Sequence, residues 1–198
     1  MRYILFSWLA WLVAVVPSAQ TLNPDDGVLR WEANITGGFN TDGWQSDMGV
    51  AYFPVQYVGL KAAIGFSGEI KPLNDSWEDD YYGYFDDDDY PSRFKFTTSL
   101  VLRTPKLITW ESQNAGFYIF AEPGFILSPG ASGSHNARYS NWDLRTGINL
   151  QLDRLIIFVG YGITDFYIYS GMPLYEADSV PKRNHITHSG FVGTAFKF

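Results

Sequence analysis

The residues from Asn141 to Leu152 alternate almost without a break. Trp142, Leu144, Ile148, Leu150 and Leu152 fall on one side, and Asn141, Asp143, Arg145, Asn149 and Gln151 on the other. Successive side chains of an extended strand point to opposite faces. Period two over this length therefore predicts a strand with one apolar and one polar face. A chain that repeats such a strand many times must stack two sheets or close one sheet on itself.

The rhythm recurs. Residues 28–40 put Leu29, Trp31, Ala33, Ile35, Gly37 and Phe39 against Arg30, Glu32, Asn34, Thr36 and Gly38. Thr41-Asp42-Gly43 reads as a turn. A weaker strand covers 46–53 and ends at Pro54, and a third covers 57–70. Residues 93–103 oppose Phe94, Phe96, Thr98, Leu100 and Leu102 to Arg93, Lys95, Thr97, Ser99 and Val101. Strands follow at 116–127 and 141–152, and Asp153-Arg154 turns into a seventh at 155–169. Its faces blur through Ile156-Ile157-Phe158. The last, His188 to Phe198, sets Phe198, Phe196, Thr194, Val192 and Gly190 against Lys197, Ala195, Gly193, Phe191 and Ser189. The expectation is an all-β chain with eight antiparallel, up-and-down strands.

Residues 1–19 have the form of a secretory signal peptide. Arg2 supplies the positive charge, Tyr3 to Val16 a short apolar run, and Val16-Pro17-Ser18-Ala19 the small residues for cleavage. This leaves 20–198 as one domain. The chain has no Cys, hence no disulfide framework and no lipidated Cys. Its net charge of −7 argues against a nucleic-acid partner. That charge is concentrated in residues 71–91, which hold eight acids, one Lys and six aromatics. The remainder is neutral.

Alternation alone does not say which face points inward. Three features choose. The polar faces are rich in Gly, Ala, Ser, Thr and Asn with scattered charges of both signs, which suits a crowded interior better than a water-facing surface. The links at 41–45, 71–91, 129–139 and 170–187 share one end, and most are long. Those at 53–56, 104–114 and 153–154 share the other, where two are minimal. Aromatics sit near strand ends at Trp31, Phe39, Tyr57, Phe94, Trp142, Phe196 and Phe198, as in the interfacial girdles of membrane barrels.

With the F-x-F ending, these features resemble the small eight-stranded outer-membrane β-barrels, of the OmpX type or the OmpA membrane domain. The resemblance implies an eight-stranded transmembrane β-barrel in the outer membrane of a Gram-negative bacterium. It implies contact with outer-membrane lipid and lipopolysaccharide. It also implies that Phe196 and Phe198 form a C-terminal signal read by the barrel assembly machinery. Members of the family include structural proteins, adhesins, small pores and lipid-modifying enzymes, so the fold alone does not choose among these.

Charges on the polar faces form the candidate lumen network: Arg30, Glu32, Lys61, Lys95, Glu122, Asp143, Arg145 and Lys197, with Glu69 and Arg93 beside them. Buried charges must be paired, so they are expected to plug the barrel; a gated pore is the alternative. Asp86, Asp87, Asp88 and Asp89 are candidate oxygen ligands for loosely bound Ca²⁺ or Mg²⁺, and no other cofactor is expected. His188-Ser189 raises a lipid-modifying hydrolase as a further alternative. Adjacent strand residues point apart, however, so neither can serve the other. The expected role is non-enzymatic, with the acidic, aromatic loop 71–91 meeting an extracellular or outer-membrane protein partner.

Overall fold

The computed structural model describes residues 29–70, 92–110, 115–130, 137–171 and 185–198. Residues 1–28, which include the segment read as a signal peptide, and the whole acidic segment 71–91, including Asp86 to Asp89, lie outside them. Strands run β1 Trp31–Asn40, β2 Gly43–Val55, β3 Val58–Gly68, β4 Ser92–Arg103, β5 Ile108–Trp110, β6 Ala115–Leu127, β7 Ser140–Leu152, β8 Leu155–Thr164 and β9 Thr187–Lys197. All pairing is antiparallel. β1 pairs with both β2 and β9, and β4 pairs with β6, so eight long strands close on themselves.

The stagger of this barrel can be read from the register. Trp31 lies beside Tyr52, then Leu60 and Leu100, and across β6 and β7 at Pro123 and Leu144. The row continues through Ile163 and His188, whose carbonyl accepts the Thr41 N–H at 2.9 Å. One circuit therefore advances ten residues along β1. Eight strands at this stagger enclose a space that side chains can fill.

The side chains are distributed inside-out relative to a soluble protein. Ile35, Met48, Leu60, Ile64, Phe66, Phe125, Ile148, Val159 and Val192 are exposed on the outer wall. Glu32, Asp47, Lys61, Arg93, Lys95, Asp143 and Arg145 are buried inside it. An outer wall this apolar requires a hydrocarbon solvent, and a closed sheet is one of the two structures that satisfy their backbone there. The molecule is a transmembrane β-barrel.

Several element boundaries differ from the sequence reading. β2 is longer than 46–53, and the link 104–114 contains the short β5, which pairs with the start of β6. The strand expected at 155–169 ends at Thr164. There side chains replace the ladder: the Thr164 hydroxyl donates to the Trp142 carbonyl, the Phe166 N–H donates to Thr164 Oγ1, and the Trp142 N–H donates to Asp165 Oδ1. The chain then folds into the mouth of the barrel, burying Phe166 and Ile168 against Ile126.

The interior is also less polar than the alternation suggested. Phe120, Phe158 and Phe191 pack together with centroids 6.1–6.4 Å apart. Lumen-facing glycines make the room. A Cβ at Gly160 would strike the Phe191 ring, and one at Gly193 the Phe158 ring. In the blurred seventh segment, Ile156 and Phe158 point inward while Leu155, Ile157 and Val159 point to lipid.

One seam is imperfect. The β4–β6 register skips Leu100 and Val101, opposite Pro123 and Glu122. Proline has no N–H, so β6 offers no donor to the Leu100 carbonyl there. Pro123→Ala is expected to restore the bond and raise the unfolding free energy in lipid vesicles by about 1 kcal/mol. The added freedom of the unfolded chain offsets part of the gain. A urea midpoint equal to or below that of the parent would show that the seam is satisfied another way.

Candidate functional site

The lumen carries the charges, and two clusters organise them. In the upper one, towards the end bearing the longer links, Asp47 is the hub. Its Oδ2 accepts from Arg145 Nη1 at 3.0 Å, and its Oδ1 lies 3.1 Å from Lys95 Nζ. The Lys95 contact is an ion pair without hydrogen-bond alignment. Lys95 instead donates to Gln45 Oε1 at 3.1 Å, and Arg145 Nε donates to Asp143 Oδ2 at 2.8 Å. In the lower cluster Arg103 grips Glu32 with two bonds, at 2.7 and 2.5 Å. Lys197 Nζ lies 3.7 Å from Glu32 and donates to Gln151, while Lys61 donates to Glu122 at 3.0 Å.

Bidentate and charge-assisted contacts of this kind are the geometry that lets ions sit out of water. Arg103 also lies over the Phe53 ring at 4.0 Å. Above both clusters Arg93 donates to the carbonyls of Tyr167, Ser128 and Arg138 and lies 4.8 Å from the Phe166 ring centroid. Arg93 thereby ties the segment after β8 into the mouth.

Of the residues named from sequence, Glu32, Lys61, Lys95, Glu122, Asp143, Arg145 and Lys197 enter these clusters. Arg30 stands just before β1, where its carbonyl accepts the Phe53 N–H. Glu69 follows β3 and lies at the rim rather than in the lumen. Asp47 and Arg103 were missed as network members. Arg103 continues the parity of Arg93 and Lys95. Asp47 lies on the weak second strand, where Gln45, Asp47, Ala51 and Phe53 in fact face inward together. Phe196 and Phe198 are exposed on the outer wall, and the Phe198 N–H donates to the Trp31 carbonyl at 2.9 Å.

Space beside the lower cluster is small. Between Glu32, Lys61, Arg103, Glu122 and Asn149 remains a cavity of about 20 Å³, enough for about one water. A larger cleft, about 550 Å³, opens at the long-link end between Asn40, Asp42, Glu69, Tyr167, Tyr169 and His185. His188 points outward and its Nδ1 meets the Tyr161 hydroxyl at 2.5 Å. Ser189 points inward, its hydroxyl donating to the Gly162 carbonyl at 3.4 Å. The two side chains diverge. Among the described residues no group of His, Cys, Asp and Glu is arranged to hold a metal.

The described fold and its charge-filled interior define a small transmembrane barrel of the eight-stranded type. Comparison with solved structures gives likenesses of that kind. The chain is similar to a de novo designed transmembrane barrel, TMB2.3, with 15% identity over 88% of this chain and 98% of that one, TM-score 0.48. It is similar to the N-terminal β-barrel domain of Pseudomonas aeruginosa OprF, with 11% identity over 85% and 96%, TM-score 0.45. It is also similar to a major outer membrane protein from Thermus thermophilus, with 13% identity over 86% and 100%, TM-score 0.47. No family model and no curated protein matches the chain.

Proposed function

We propose that this chain is a non-conducting, non-enzymatic outer-membrane anchor. In this reading it displays its long-link end, including the acidic loop 71–91, to a protein partner outside a Gram-negative cell. The observation that carries the reading is the filled lumen. Buried ion pairs span the interior, and the space beside the lower cluster is about 20 Å³. Ions cross a barrel through continuous water, and these side chains leave room for little of it. The divergence of His188 and Ser189 supports the absence of a Ser/His hydrolase. The leader-like residues 1–19 support export.

The test is electrical. Barrel refolded into a planar lipid bilayer is expected to give no discrete current steps at ±100 mV. An Asp47→Ala, Arg145→Ala double variant, which empties part of the upper cluster, is expected to leak. Steady unitary steps from the parent protein would replace this reading with a pore.

A further inference from the structure

A polar pair stands on the lipid face of the barrel. His188 and Tyr161 are both exposed on the outer wall, where His188 Nδ1 meets the Tyr161 hydroxyl. Neither side chain belongs to the lumen clusters. A phenol is the more acidic of the two groups, so the hydroxyl donates to Nδ1 and the ring proton rests on Nε2. Among the described residues that Nε2–H meets no acceptor. An ionisable side chain facing lipid is costly unless something answers it.

The position of the pair says what could answer. The His188 carbonyl accepts from Thr41, in the turn between β1 and β2, so His188 stands at the upper end of the wall. Phe39 and Trp142, at neighbouring strand ends, mark the same headgroup level. Below His188 the wall is dented. Gly190 lies between Tyr161 and Phe39, and Gly37 lies beside Val192. A Cβ at either glycine would meet nothing within 4 Å. Tyr161, Phe39 and Val192 therefore stand clear of the backbone, and all three are exposed. Two strand spacings, about 9–10 Å, separate Tyr161 from Phe39, which is room for an acyl chain between them.

We propose that this face seats one particular lipid of the leaflet at the long-link end. Its acyl chain lies over Gly190 and Gly37, and its phosphate oxygen accepts from His188 Nε2. The seat is continuous with the lipid interface of the wall. Irregular chain does not descend into hydrocarbon, so the ground over the two glycines belongs to lipid. A phosphate is preferred to an ester carbonyl because an anionic acceptor makes the stronger bond. Tyr161 is a positioning residue: it holds the imidazole and decides which nitrogen donates.

The experiment uses the full barrel in detergent micelles and native mass spectrometry, titrated with dioleoyl phosphatidylglycerol. Dioleoylglycerol, which lacks the phosphate, and inorganic phosphate, which lacks the chains, are the two controls. Folding of every variant is checked by heat-modifiable gel mobility. The parent is expected to retain one phosphatidylglycerol more tightly than any later one and to prefer it to dioleoylglycerol about tenfold, the worth of one charge-assisted hydrogen bond. His188→Phe should remove that preference. His188→Gln, which keeps an N–H donor, should restore most of it. Gly190→Leu fills the dent and should weaken both lipids, whereas Leu60→Phe, elsewhere on the wall, should change neither. The proposal is overturned if the parent holds the two lipids equally, or if His188→Phe and Gly190→Leu both bind as the parent does. Binding of inorganic phosphate as tight as that of the lipid would also overturn it, since the groove would then contribute nothing.

Discussion

Asp47→Ala is expected to destabilise the barrel by about 3–5 kcal/mol, the usual cost of stripping one partner from a buried ion pair. The reason is its position. Lys95 and Arg145, both almost wholly buried, share this one carboxylate, and among the described residues only Arg145 has a second, in Asp143. Without Asp47 the Lys95 ammonium keeps Gln45, a neutral acceptor. Asp47→Asn tests charge separately from shape, because it keeps the volume and one acceptor oxygen but removes the negative charge. It should lie between the parent and Asp47→Ala. Unfolding in urea from lipid vesicles, followed by tryptophan fluorescence, would measure both. If Asp47→Ala unfolds with the parent, the upper cluster is wet and its charges are solvated rather than paired.

Ile64→Arg is expected to cost about 2–4 kcal/mol, the penalty for a guanidinium on the lipid face near mid-depth. Ile64 is 47% exposed, sits midway along β3 and lies between Met48 and Phe96 on the outer wall. The sign of this result matters more than its size. In a water-soluble barrel an exposed Ile→Arg change would be within about 0.5 kcal/mol of neutral. Vesicle-bound unfolding of the variant separates the two cases. A matched Thr98→Arg, on the same wall one strand over, would show whether the penalty follows the membrane or the particular site. A neutral outcome at both would remove lipid as the solvent of the outer wall.

Much of the wall was legible because lipid and lumen impose opposite demands on alternate residues. Asn141 to Leu152 obeys that rule at nearly every position, and its faces came out as read. β8 did not, for a physical reason. Its inward residues Ile156 and Phe158 enter an aromatic cluster, so both faces are apolar and alternation disappears. The glycines that make room for those rings carry no such signal, since a lumen-facing Gly and a turn Gly look alike in sequence. The lumen charges were recognisable as a set, but their partners were not. Pairing depends on the ten-residue stagger, which brings β2 across to β7 and sets Asp47 beside Arg145. No local pattern encodes that neighbour. The end of β8 was hidden similarly, because Thr164 and Asp165 replace ladder bonds with side-chain ones.

The seam between β1 and β9 has a consequence for how the barrel comes into being. It joins the earliest and latest strands of the described chain, with Trp31 and Phe198 exchanging backbone bonds at its end. Every other ladder among the long strands links consecutive ones and can form while the chain is still growing. This one cannot, and its loop-closure entropy is the largest in the molecule. Until it forms, two strands carry open edges, and in hydrocarbon each unmet N–H or carbonyl costs several kcal/mol. A half-made sheet is therefore a poor tenant of the bilayer. Assembly has to shelter those edges, at an interface or against another protein, up to the moment the last strand meets the first.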